Sequence, residues 1–381
     1  MENITTEQVV VKIKERLRWG RVFFHLLNYC MLPFLIMLPK KMVLARLQHL
    51  LSNRIYSAKC SQILFYKSGR SALCALLIAL RKGQNRKIVF VPDYICNVVP
   101  KACVDAGFDL QSYPTDDHLV PIWTSLDKLL CNDTDSVLLI CSLMGATPIV
   151  SAEKRQLVER HSDLFVIADE CQNLVEQSPV KANLREAIVF SFNDKTSPGL
   201  MGGGIVWATD SDLIPEFQPA SFINTIKRSI YFTGALTKRI IRETRHIVKL
   251  ALNRPVMYAM PESYEYSICQ SAHYNTQPES IHRISAAYAL LNLRLMKHVT
   301  RVRKENCKML SSVAVYGVAN VEVNNSCHAE APPFMLFSEV SNNVGYYPAP
   351  VKAPYAKFNM PEACVKKQYA FKLNIPYVAY R

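Results

Sequence analysis

Between about residues 61 and 210 the apolar positions cluster in short β-rich runs: "KIVFVPDY" (87–94), "SVLLICSL" (136–143), "LFVIADE" (164–170), "AIVFSF" (187–192) and "GGIVWATD" (203–210). Within each run the apolar residues are nearly continuous instead of falling at every second position. That pattern suits strands buried on both faces. Helical patterns separate several of the runs: "SALCALLIALRKG", with Gly83 as its expected C-terminal stop, "NVVPKACVDAG" and "SAEKRQLVERHS". The alternation predicts an α/β fold with a largely parallel sheet covered on both faces. In such a sheet, ligands bind beyond the carboxyl ends of the strands. The turn after Tyr94, Asp169 and Lys195 all fall just past such runs.

Beyond residue 210 the pattern changes. "GALTKRIIRETRHIVKLALNRP" (234–255) predicts an amphipathic helix, with Leu236, Ile240, Ile247, Val248 and Ala251 on one side. Lys238, Arg239, Arg242, Arg245 and Lys249 fall largely on the other. Residues 284–296 predict a second, more apolar helix, and from 327 onward the chain is rich in Pro and aromatic residues. No internal repeat is evident. Three parts are expected: a basic and apolar N-terminal segment (1–55), a large domain (56–225) and a smaller α+β C-terminal domain (226–381).

Composition narrows the function classes. The 381 residues are half hydrophobic, enough for a sizeable core, and carry a formal net charge of +14. That excess favours anionic partners such as phosphorylated small molecules or a phospholipid surface. No helix-turn-helix or aromatic–basic motif supports nucleic-acid binding. The twelve cysteines form neither a C-x-x-C pair nor a cluster with histidine at zinc spacing, so no metal is expected. Cys74, Cys103 and Cys141 lie in apolar runs and read as buried hydrophobes of a cytoplasmic protein. Residues 22–39 contain no formally charged side chain, lie between Arg21 and Lys40-Lys41, and are interrupted by Pro33. Two readings stand for them: a helix packed on the rest of the protein, or an interfacial or re-entrant membrane segment, which would put the protein at the inner face of the membrane.

Candidate chemistry sits at the strand ends. "SGRSAL" (68–73) brings small residues to the entry of a helix, where free N–H groups can bind phosphate or simply be capped. Asp169 in "IADECQN" ends an apolar strand, as a helix cap or as the partner of a buried cation. Together with Lys195 on a Ser-x-x-x-Lys…Gly-Gly turn, these are the parts that hold pyridoxal phosphate (PLP). That cofactor needs an amine to attach it, an acid facing its ring nitrogen and donors around its phosphate.

Five pieces in this order, "SGRSAL", "VPDYICNVV…AGFDLQSYPTD", "LICSLMGATP", "IADECQN" and "FSFNDK…GGG", resemble the DegT/StrS sugar aminotransferases, PLP enzymes of fold type I. The resemblance spans about residues 64–210 and continues weakly through 280–300. It implies that Lys195 carries the cofactor and moves protons, and that Asp169 partners the ring nitrogen. Gln172 would lie near the ring's phenolic oxygen, and Gly69, Arg70, Ser71 and Ser191 would hold the phosphate. Tyr94 or Cys96 falls where the family puts a residue against the ring face, and Tyr94 has the π-surface for it. Lysine at 195, where dehydratase relatives carry histidine, implies amino transfer. The implied substrate is a nucleotide-linked keto-sugar for surface polysaccharide, with glutamate or glutamine as donor and a homodimer as the working form.

The sequence also departs from the family. The lysine turn is one residue short, Ser142-Leu143-Met144-Gly145 replaces a His-Leu-Tyr-Gly, and Ile281 aligns where a partner-subunit Asn is usual. The short lysine turn, and the basic, apolar amino terminus in place of the family's usual one, support an alternative: a PLP-fold protein without catalysis that serves as a membrane-associated assembly partner.

Overall fold

The computed structural model describes most of residues 38–293, together with scattered positions from 26. Residues 1–25, 28–29, 32, 35–36, 56–60, 94, 96–97, 117–119, 132–134, 143–147, 172–184, 193–201, 209–211, 252–275 and 294–381 lie outside the described residues. In chain order the elements are α1 (Lys40–Leu50), β1 (Ser61–Tyr66), α2 (Gly69–Gln84), β2 (Ile88–Pro92), α3 (Val98–Asp105) and β3 (Asp109–Tyr113). They continue with α4 (Trp123–Leu130), β4 (Ser136–Cys141), α5 (Ala152–Arg160), β5 (Phe165–Asp169), β6 (Glu186–Ser191) and β7 (Gly203–Ala208). The long α6 (Phe222–Ala251) and then α7 (Arg283–Leu293) complete them.

Among the described residues, one seven-stranded sheet has the order β1-β7-β6-β5-β4-β2-β3. β2, β3, β4, β5 and β6 pair in parallel, and β7 runs antiparallel to both β6 and β1. The expected largely parallel α/β sheet is therefore present, and alternate residues of its strands feed two cores. Phe90, Leu138, Ile140, Val166, Ile188 and Val206 point to one face, packed with Val43 and Leu47 of α1, Leu126 of α4, Leu157 of α5 and the apolar side of α7. Val89, Val137, Leu139, Ile167, Val189 and Ile205 point to the other, against Leu73, Leu76 and Leu80 of α2 and Cys103 of α3. Burial on both sides explains why these strands read as continuous apolar runs.

Local chemistry sets the helix ends. The Ser68 hydroxyl caps α2 by accepting from the Ser71 N–H (3.2 Å), and Ser151 caps α5 through Lys154 N–H (3.0 Å). Gly83 does not stop α2. The helix runs to Gln84, and Asn85 takes the left-handed conformation at φ 50°. Asparagine tolerates that conformation through its short polar side chain. At the amino ends of the strands, buried Arg86 donates to the carbonyls of Ser136 and Asp163 and lies over the Phe165 ring. This clamp holds β2, β4 and β5 together at the end of the sheet opposite the candidate site.

α6 begins twelve residues earlier than the 234–255 pattern indicates. The described positions at 26–27, 30–31, 33–34 and 37 are helical, and Leu26, Leu27, Met31, Phe34 and Met37 are exposed. Among the described residues no helix is long and apolar enough to cross a membrane.

Candidate active site

The carboxyl ends of β4, β5 and β6 lie in register, so that Cys141 stands beside Asp169 and Asp169 beside Val189. Asp169 is the last residue of β5, and only 8 % of its surface is exposed. Its carboxylate accepts from the Cys171 backbone N–H (2.9 Å) and from the Cys141 thiol (3.6 Å). Burial pushes Asp169 above its ordinary value, and the bonds from Cys171 and Cys141 only partly oppose this. Among the described residues it has no cationic partner. Burial, reinforced by the neighbouring Asp169, also holds the Cys141 thiol well above its ordinary range, so that thiol stays a donor.

The start of α2 packs onto this corner. A Cβ added to Gly69 would meet Cys171 Sγ at 2.5 Å and Ser191 Cβ at 3.2 Å. One added to Gly203 would meet the Phe190 carbonyl oxygen at 2.5 Å and the Gly69 nitrogen at 2.6 Å. Glycine at both positions thus lets the first turn of α2 sit directly on the ends of β6 and β7. Arg70 and Ser71 follow in that turn, with the Ser71 hydroxyl 3.0 Å from that of Ser68. Buried Ser191 donates to the Gly202 carbonyl (3.3 Å). The Phe192 N–H reaches the same oxygen (2.9 Å), so the loop carrying Lys195 leaves and returns at one point of the site. Gly202 has φ +127°, a conformation that favours glycine, and lies against Ile281 and Phe192.

The structure therefore brings Gly69, Arg70, Ser71, Asp169 and Ser191 to one end of the sheet. Tyr94, Cys96, Gln172 and Lys195 lie outside the described residues. Ile281 is fully buried within this chain, its N–H donating to the Phe65 carbonyl (3.0 Å).

Several residues escaped the sequence reading. Cys141 and Cys171 supply both hydrogen bonds to Asp169. Ser142 donates to buried Glu170 (3.2 Å), and its N–H reaches the Asp169 carbonyl (3.0 Å). Asp93, buried at the end of β2, accepts from the backbone N–H and the hydroxyl of Thr115, fixing the turn that leads into Tyr94. The available signal was position, since Asp93, Cys141 and Ser142 also sit at strand ends.

No family model matches the chain, and neither does any curated protein. Solved structures do resemble it. A DegT DnrJ EryC1 StrS aminotransferase from Brucella abortus aligns at TM-score 0.47 and 14 % identity, over 91 % of this chain and 78 % of that one. DesV of S. venezuelae, solved with a ketimine intermediate, aligns at TM-score 0.46 and 14 % identity, over 77 % and 68 %. Helicobacter pylori PseC, an aminotransferase of pseudoaminic acid biosynthesis, has the same score and identity over 71 % of this chain and 62 % of its own, less than two thirds of its length. At these scores the function has to be read from the residues of the site.

Proposed function

We propose that this chain is a PLP-dependent aminotransferase acting on a nucleotide-linked keto-sugar for glycan biosynthesis. One observation carries the reading: a buried strand-end carboxylate, Asp169, with no cationic partner among the described residues, beside a helix entry seated on Gly69, Gly203 and Ser191. A carboxylate buried in that way suits a protonated ring nitrogen, and the N-terminal turn of α2 suits a phosphate. The donor set thus fits the cofactor. When bound, PLP would supply an electron sink for breaking the bond to hydrogen at the substrate carbon.

The protein's residues would do the rest. Asp169 would hold the proton on the ring nitrogen, its carboxylate oriented by the Cys171 N–H. Gly69, Arg70, Ser71 and Ser191 would bind the phosphate, Gln172 the phenolic oxygen, and Tyr94 would cover one ring face. Lys195 would attach the cofactor and then carry a proton between substrate carbon and cofactor. The amino donor would be glutamate or glutamine and the working form a cytoplasmic homodimer, touching the inner face of the membrane. Residues 226–381 would supply the smaller domain, with α7 among them packed on the large sheet.

Reconstitution with PLP, borohydride reduction and peptide mapping test this reading. The pyridoxyl group is expected on Lys195. Its absence, or its attachment to another lysine, overturns the enzyme reading. A glutamate half-reaction then separates a working transaminase from a catalytically inactive assembly partner.

A further inference from the structure

α6 is apolar on a face that nothing in the described structure covers. Ile240 is partly buried against the core that α7 shares with the sheet. At about 100° per residue, Ile223, Ile230, Ile241 and Val248 fall within ~20° of one line, roughly 100° round the helix from Ile240. Their exposures are 61, 69, 47 and 50 %, and Ile226 beside them is exposed too. Lys227, Lys238 and Arg245, all exposed, run along the other flank of this stripe. The sequence pattern placed Val248 on the same side as Ile240; in the structure Val248 is half exposed.

We propose that α6 docks the protein on an anionic phospholipid surface, with the Ile223–Ile226–Ile230–Ile241–Val248 stripe among the acyl chains and Lys227, Lys238 and Arg245 at the headgroups. This adds a named docking element to the membrane contact in the proposed function and does not depend on the amino-transfer reading. Charge selects the occupant. α6 carries seven Lys or Arg against one acid, Glu243. Residues 294–381 carry twelve against five, and the whole chain is +14. Its own C-terminal stretch and a second copy would therefore both bring like charge to the stripe, whereas an anionic bilayer complements it. The exposed Leu26, Leu27, Met31, Phe34 and Met37, just before Lys40-Lys41, offer a second surface of the same kind.

The test is co-sedimentation of the full chain with vesicles of phosphatidylcholine alone or mixed with phosphatidylglycerol. Binding is expected only to the anionic vesicles and should weaken with salt. Ile230→Glu/Ile241→Glu should lower partitioning at least ten-fold. Neutralising Lys227, Lys238 and Arg245 to Gln should lower it on the order of a hundred-fold, since each basic residue near such a surface contributes about five-fold. Both variants should still take the pyridoxyl label at Lys195, which separates failure here from failure of the enzyme reading. Absence of binding to anionic vesicles, or equal binding to neutral ones, overturns the proposal. So does an Ile241→Cys thiol that maleimide cannot reach in water, because the chain itself would then cover the stripe. Dimer dissociation in the Glu variant without any vesicle binding by the parent overturns it in favour of a second copy.

Discussion

Replacing Gly69 by alanine tests how the first turn of α2 is seated. The new Cβ would lie 2.5 Å from Cys171 Sγ and 3.2 Å from Ser191 Cβ. Forcing a methyl into such a contact costs about 1–3 kcal/mol. The worst clash is with the end of a side chain, so Cys171→Ala removes it and leaves the Cys171 backbone N–H on Asp169. In that background Gly69→Ala should cost under ~1 kcal/mol, giving a coupling of about 1–2 kcal/mol between the two positions. Gly203→Ala is the control. Its Cβ would lie 2.5 Å from the Phe190 carbonyl and 2.6 Å from the Gly69 nitrogen, which are backbone atoms that Cys171→Ala cannot move. Urea unfolding of the single and double variants at neutral pH gives the free energies, and an unchanged m-value keeps the comparison valid. PLP titration of the same proteins should rank affinity in the same order. An equal cost of Gly69→Ala in both backgrounds refutes the packing of the α2 entry on Cys171, and with it the seat assigned to the phosphate.

Asp169→Asn should keep the fold but lose roughly 10²–10³ in turnover, measured with glutamate as donor, because an amide cannot hold a ring nitrogen protonated. Near-normal turnover refutes the role of Asp169. In the cofactor-free protein the raised value of Asp169 makes the folded state bind this proton more tightly than the unfolded chain does. Its stabilising contribution is therefore full below the ordinary carboxylate value and is lost as pH rises through the raised one. Urea midpoints across mildly acidic pH should fall more steeply for the parent than for Asp169→Asn, and parallel curves would contradict the shift. Asp93→Ala leaves the buried Thr115 N–H unpaired and should cost about 1–3 kcal/mol. It should also weaken PLP binding by loosening the turn before Tyr94, and a stability loss with unchanged PLP affinity would separate that turn from the site.

The strands buried on both faces were legible because burial demands apolar residues at every position, and β2, β4, β5, β6 and β7 all lie where the runs predicted. β3 was not, because it is an edge strand whose Asp109 and Gln111 face water, and its five residues carry little apolar signal. β1 was missed as a short run between the polar Ser61-Gln62 and Lys67. Strand-end position picked out Asp169 and the Gly69 turn, the family resemblance added Ser191, and the fold brings all three together. The hydrogen bonds to Asp169 were not legible, since a backbone N–H has no sequence signature and Cys141 looks like any buried apolar residue. α6 misled for another reason. The amphipathic pattern begins at Gly234, yet Gly234 sits mid-helix with no atom within 4 Å of its Cβ position. Apolar residues on two faces of α6 also cannot be sorted into inner and outer by periodicity alone.

The register of β1 has a consequence for synthesis. Ser61 to Tyr66 pair with Ala208 to Gly203, so the first of the described strands finds its partner only when the last of them leaves the ribosome. At roughly 5–20 residues per second, β1 waits on the order of ten seconds as a short apolar strand with no neighbour. The Gly69 entry waits with it, because the Gly203 backbone it rests on does not yet exist. A chain cut anywhere before β7 would then expose a sticky edge and lack the backbone on which the Gly69 turn, the proposed phosphate seat, rests. Cofactor capture by nascent chains of increasing length should therefore begin abruptly, once β7 has emerged.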